Sequence, residues 1–274
     1  MTNAAVGVQC PDCVRAGVRD TRSDQLPFGG RRIGNPGLTS FVLIGLNAAV
    51  WALLWFTGAG AEPWYDRLAL LPRGRCVPVS DPGSYFPEVG RQACRAVGGV
   101  WQWVPGLLDG APWQALTAAF THVEPYHLAT NMLSLFFIGP ILEQGFGRVR
   151  FLVVYLLSAL SSAVAVAWFS DPMSSTVGAS GAIFGLLGAL VVLARRVRGN
   201  LQLIGTVLLL NLAIPFFIPG VSMEGHLGGL VGGFALAALI VYAPRAGRTR
   251  WQWLGFAAFT VVCVGTIVVR ALVP

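Results

Sequence analysis

At 274 residues, 55% hydrophobic and only 11% charged, with a mean hydropathy of +0.66, the chain cannot be an ordinary water-soluble domain and calls for several membrane spans. Its formal net charge of +7 rests on arginine alone, with no lysine anywhere. Those arginines are split among short loops instead of forming one contiguous basic face, which excludes a nucleic-acid footprint.

Seven apolar segments read as membrane-spanning helices: 39–57, 126–142, 151–169, 180–194, 201–218, 225–243 and 251–271. The expected fold class is therefore an all-α polytopic membrane protein, with the lipid bilayer as its first partner. Arg148 and Arg150 fill one short loop, Arg195, Arg196 and Arg198 a second, and Arg245, Arg248 and Arg250 a third, whereas 170–177 and 219–224 hold none. That alternation follows the positive-inside rule. It predicts a plasma (inner) membrane protein with its N-terminus in the cytoplasm and its C-terminus outside. The first 38 residues lack an apolar run, so no cleavable signal peptide is expected.

Residues 1–38 read as a polar, mostly flexible cytoplasmic tail. Cys10-Pro-Asp-Cys13 has the spacing of half a zinc ribbon, but a structural zinc site needs four ligands. No further Cys or His falls on that side, so the pair is expected to be an incomplete knuckle without metal; ligands encoded upstream of a truncated start are the alternative. The core follows over 39–243, with a long outer loop at 58–124, and an inner loop and seventh span occupy 244–274. The loop's Trp64, Tyr65, Trp101, Trp103 and Trp113 suit the membrane–water boundary and suggest a partly embedded lid. Its Cys76 and Cys94 could form a disulfide in an oxidising space, whereas Cys263 in the last span reads as plain packing.

In the second span His127 and Asn131 are four residues apart and share a helix face. Such polar groups are costly in lipid and either point into a cavity or hydrogen-bond to neighbouring helices. Glu143, at the inner end beside Arg148 and Arg150, reads as an ion-pair partner. The third span, with only the Tyr155 hydroxyl to titrate, is scaffold. The fourth begins at Gly178-Ala179-Ser180-Gly181 and ends at Arg195-Arg196; over fifteen residues it reaches only ~22 Å. With the arginines in the headgroups, Ser180 falls several Å inside the ~30 Å hydrocarbon core, where non-helical backbone must line a water-accessible cavity. Gly181, Gly185 and Gly188 make a stripe for close helix contact. The fifth span ends at Pro215 and Pro219. The sixth opens Glu224-Gly225-His226, and His226, Gly229 and Gly233 lie on one face that suits the fourth span's stripe.

Ser180 and His226 thus fall at one depth on two smooth helices. A serine needs a base, which imidazole supplies near neutral pH. No carboxylate is placed to orient the imidazole, so the pair reads as a Ser–His dyad. An oxyanion could be met by the backbone N–H groups of Ser180 and Ala179, the Asn131 amide and His127. The motifs HxxxxHxxxN (His122, His127, Asn131), GASG (Gly178 to Gly181) and HxxGxxxG (His226, Gly229, Gly233) resemble those of the rhomboid family of intramembrane serine proteases, across about residues 39–243. The resemblance implies a six-helix bundle with an added seventh transmembrane helix, no cofactor, and a lateral gate beside the fifth span. Ser180 would be the nucleophile and His226 the base, with His127, Asn131 and backbone donors as the oxyanion hole. Phe184 resembles the aromatic that packs on the catalytic histidine, and Glu143 with Gly147 resembles the motif at the inner end of the second span. Substrates would be single-span membrane proteins cut near their outer boundary. A catalytically silent relative that binds membrane clients is the alternative. The chain departs from the family where Trp113 precedes Gln114 in place of arginine, leaving the loop's anchoring open, and in the loop's length. The CxxC tail is similar to the end of a Cys/His-rich segment found before some actinobacterial members.

Overall fold

The computed structural model describes residues 2–3, 8–14, 25–32, 34–57, 63–80, 84–86, 89–96, 99–213, 216–217 and 220–273. Its long helices are α1 (Leu38–Phe56), α2 (Pro125–Phe146), α3 (Arg148–Phe169), α4 (Ser180–Val197), α5 (Leu201–Ala213), α6 (Met223–Tyr242) and α7 (Arg248–Leu272). Five of them, α1, α3, α4, α6 and α7, are long and apolar enough to cross a membrane. With the polar residues of α2 and the shorter α5, they make an all-α polytopic membrane protein.

Local chemistry sets the boundaries. Pro125 opens α2, where its missing N–H costs nothing, and the helix runs on to Phe146, past the expected end at 142. Gly147, at φ 80°, breaks it from α3 in a conformation that suits glycine. Helix α5 has 13 residues, about 20 Å, and stops at Ala213, short of the expected 218. Pro215 follows in the sequence, and a proline disfavours helix at the residue before it; 214, Pro215 and Pro219 lie outside the described residues.

Helix α4 sits at the centre and is the most buried of the spans, whereas α7 is the least. Glycine lets its neighbours reach its backbone. A Cβ on Gly229 of α6 would stand 1.9 Å from the Gly181 carbonyl oxygen, and one on Gly233 1.9 Å from that of Gly185. On the other side, a Cβ on Gly181 would meet Ser162 Oγ of α3 at 2.2 Å and one on Gly185 would meet Ser158 Oγ at 2.1 Å. Close approach of this kind gives dispersion contact that apolar lipid cannot outcompete.

Two packing features depart from expectation. The tail is docked over residues 25–32: Phe28 is buried, its ring meets Phe146 edge-on at 6.4 Å, and its carbonyl accepts from Gln252 Nε2 at 2.8 Å. Glu143 pairs with Arg148 at 3.3 Å, but its carboxylate mainly closes the start of α1, accepting from the Gly37 and Thr39 amides at 3.1 Å. A buried carboxylate at a helix N-terminus meets both free N–H groups and the positive dipole end. Arg150 turns instead to Gln252 Oε1 at 2.8 Å.

The loop between α1 and α2 is a folded lid. Strands β1 (Arg75–Pro78) and β2 (Trp101–Val104) pair antiparallel with Cys76 opposite Trp103. Cys76 is bonded to Cys94 of the short helix Arg91–Ala96, Cα atoms 5.7 Å apart. Gln114 settles the anchoring. Fully buried, it accepts from the Leu71 amide at 3.1 Å and donates to the carbonyls of Asp66 at 3.2 Å and Pro105 at 3.0 Å. A neutral amide thereby ties three lid segments where the family pattern has arginine.

Candidate functional site

The lid holds the entry to α4. Leu70 and Thr176 exchange backbone hydrogen bonds at 2.9 and 3.0 Å, and the Gly178 amide donates to the Ala118 carbonyl at 2.9 Å. Gly178, at φ 115°, turns the chain into the helix. Ala179 caps it, and Ser180 is its first residue, half-buried. The Ala179 amide donates to Nε2 of His122 at 3.3 Å. His122 is 1% exposed, and burial, then the nearby His127, hold its pKa down to about 3. It is therefore neutral, as an acceptor at Nε2 must be, and positions the loop rather than reacting.

His127 comes from the first turn of α2, its ring 5.1 Å from that of His122, edge to face. It lies directly on Gly178: a Cβ there would stand 2.7 Å from His127 Nε2 and 3.7 Å from Asn131 Nδ2. Only glycine leaves room for both polar side chains beside the start of α4. Asn131 donates one N–H to the His127 carbonyl at 3.0 Å; its amide has a second to give.

His226 stands in the first turn of α6, where Ser222 caps the helix by accepting from the Gly225 amide at 3.0 Å. Its ring stacks on Phe184 with centroids 4.1 Å apart and planes 14° from parallel. Phe184 and Ser180 are i+4 and i on α4, so the imidazole covers the face that carries the serine, one turn away. His226 Nδ1 is buried, and among the described residues no carboxylate or other group hydrogen-bonds to it. Among the described hydrogen bonds none joins Ser180 Oγ to His226. A small cavity of about 20 Å³, the size of one water, lies behind the turn between Thr176, Gly178, Gly181 and Ser162.

The structure thus gathers Gly178, Ala179, Ser180, His122, His127, Asn131, Phe184 and His226 at one end of the bundle, with Gly181, Gly229 and Gly233 closing the helices beneath. The sequence marked Gln114 only as a departure from the family pattern; its anchoring role and the Leu70–Thr176 pairing have no local spacing to signal them. Cys10 and Cys13 are elsewhere, free and exposed, with Sγ atoms 2.7 Å apart. Among the described residues no group of three or more His, Cys, Asp or Glu could hold a metal.

A rhomboid domain matches residues 109–243. The chain is 37% identical over 164 residues to the rhomboid protease GluP of Bacillus subtilis (strain 168), covering 58% of this chain and 32% of GluP. To RHOMBOID-like protein 2 of Arabidopsis thaliana it is 35% identical over 157 residues, covering 54% of this chain and 49% of that protein. It therefore spans about a third of the first relative's length and about half of the second's. YdcA of Bacillus subtilis is 34% identical over 142 residues, which cover half of this chain and 71% of YdcA. With 71% of YdcA covered at 34% identity, and a rhomboid domain matched over 109–243, the chain belongs to the rhomboid family.

Proposed function

We propose that this protein is an intramembrane serine endopeptidase that cuts single-span membrane proteins in or near their transmembrane segments, using Ser180 and His226. The observation that carries the reading is the stacking of His226 on Phe184 at 4.1 Å, which fixes an imidazole over the face of α4 that bears the serine. Catalytic hydrogen bonds are often long before substrate binds, so the hydroxyl need not touch Nε2 in the free protein. His226 then takes the hydroxyl proton as Oγ attacks the scissile carbonyl, and returns it to the leaving amine. Water deprotonated by the same imidazole releases the acyl group from Ser180. The tetrahedral oxyanion would be met by the Ser180 amide, the free N–H of Asn131 and His127, beside the positive end of α4.

The positive-inside pattern supports placing the arginine end in the cytoplasm and the serine end outward in a plasma membrane. Helix α5 buries none of its residues, which supports entry of a substrate helix beside it. A serine-directed fluorophosphonate tests the reading. Wild-type protein in maltoside micelles should be labelled and cleave a single-span reporter, and Ser180→Ala should do neither. His226→Ala should lose cleavage while melting as wild type. A client-binding relative without catalysis would remain unlabelled and leave the reporter intact.

A further inference from the structure

The two ends of the bundle differ in kind. Behind the turn into α4 lies a cavity of about 20 Å³; at the opposite end an open cavity of about 760 Å³ lies between the docked segment 25–32 and the first turns of α3 and α7. Arg31, Arg32, Arg148 and Arg150 line it, and Val149 and Trp253 stand on its rim. Arg148 is engaged by Glu143 at 3.3 Å and by the Asn35 carbonyl at 3.2 Å. Arg31, Arg32 and Arg150 have no acidic partner among the described residues.

Arg150 is the anomaly. It is 7% exposed, yet its guanidinium is held by neutral groups only, Nε donating to Gln252 Oε1 at 2.8 Å and Nη2 to Thr249 Oγ1 at 3.5 Å. A buried charge without a counterion is expensive. The helix ends around it raise that cost. Neither α3 nor α7 has an acidic residue in its first turn or a side-chain cap; their first turns carry Arg148, Arg150, Arg248 and Arg250 instead. Cations beside a helix N-terminus oppose its dipole, and free first-turn amides are a ready anion site. Glu143 cannot serve, because its carboxylate is taken up by the start of α1 and by Arg148. The positive-inside rule puts arginines at this end, but it does not bury one among neutral partners around an open cavity.

We propose that this cavity binds the phosphodiester headgroup of an anionic phospholipid, held by Arg31, Arg32 and Arg150 and by the first-turn amides of α3. The chemistry is that of a phosphoryl anion, which a bidentate guanidinium fits. The rim argues for lipid as its source: Val149 is 59% and Trp253 43% exposed, so acyl chains leaving the cavity would lie on apolar surface and an interfacial indole.

The test uses the full chain in maltoside micelles, with native mass spectrometry and thermal melting as readouts, and phosphatidylglycerol, phosphatidylcholine or inorganic phosphate as the added probe. Phosphatidylglycerol should saturate one site and raise the melting midpoint, at least tenfold more tightly than phosphatidylcholine. Arg31→Gln/Arg32→Gln, both exposed and outside the packed core, should lower that affinity at least tenfold. Arg198→Gln, at the same end but outside the cavity, should leave it unchanged. Phosphatidylglycerol binding unaltered in the double variant and in Arg150→Gln would overturn the site. Inorganic phosphate matching phosphatidylglycerol would overturn the lipid as its source. Neither outcome depends on proteolysis.

Discussion

The contact between α4 and α6 can be tested with single methyl groups. In Gly229→Ala the new Cβ would stand 1.9 Å from the Gly181 carbonyl oxygen, and in Gly233→Ala 1.9 Å from that of Gly185. An ordinary contact begins at 3.4 Å, so each methyl must gain about 1.5 Å, and the obstacle is main chain that no rotamer change can remove. Overpacking of this kind costs about 1–3 kcal/mol, and the upper end applies because two helices must part. The damage should reach the dyad from Gly229, one turn from His226, where a misplacement of about 1 Å costs roughly 100-fold in rate. Gly233, a turn further on, should lose stability with less effect on rate. Gly45, Gly205 and Gly265 sit in helices with nothing within 4 Å of a built Cβ. Alanine there should be neutral or stabilising by up to about 1 kcal/mol through helix propensity. Thermal midpoints in maltoside micelles, with reporter cleavage in parallel, separate the two sets. A Gly229→Ala protein that melts with wild type would refute close backbone packing as what joins these helices.

Other sites yield sharp expectations. Gln114→Ala would strand a buried Leu71 amide and two carbonyls, so the lid should loosen by about 2–4 kcal/mol, seen as faster amide exchange over 63–117. Breaking Cys76–Cys94 in Cys94→Ser frees a loop of sequence separation 18; chain entropy puts the loss near 3 kcal/mol, read as a lower melting midpoint that matches wild type under reductant. His122 is held neutral down to about pH 3, while in the unfolded chain it gains a proton near pH 6.5. The unfolded state therefore binds more protons between those values, so stability rises with pH there and is lost as pH is lowered from about 6.5 to about 3, by up to about 4–5 kcal/mol. His122→Gln should flatten that slope in a pH series of thermal midpoints. At the tail, the hydrogen bond from Cys13 lowers the Cys10 thiol below its ordinary value and raises Cys13, so iodoacetamide should modify Cys10 first, as peptide mass spectrometry would show.

Features legible in the sequence are those that a helix repeats. Hydropathy located the seven segments, the Gly-Ala-Ser-Gly turn marked the start of α4, and glycines at i+3 and i+7 from His226 pointed to the face that meets α4. Each is a local pattern with a fixed period, and the first residue of α4 is Ser180, as that pattern required. What escaped depends on partners far along the chain. Gln114 serves Leu71, 43 residues away; Phe28 is docked by Gln252, 224 residues away; Glu143 closes a helix that begins more than a hundred residues earlier. A polar residue of this sort looks like any other until tertiary structure supplies its donors and acceptors. The same distinction separates the two ends of the molecule. At the serine end, neutral side chains gather through short-range packing around glycine, and local motifs mark the place. At the arginine end, charge accumulates from two stretches far apart in the chain, 31–32 and 148–150, around an open cavity. Neither stretch announces it, and only the fold shows that Arg150 is buried there with no acidic partner among the described residues.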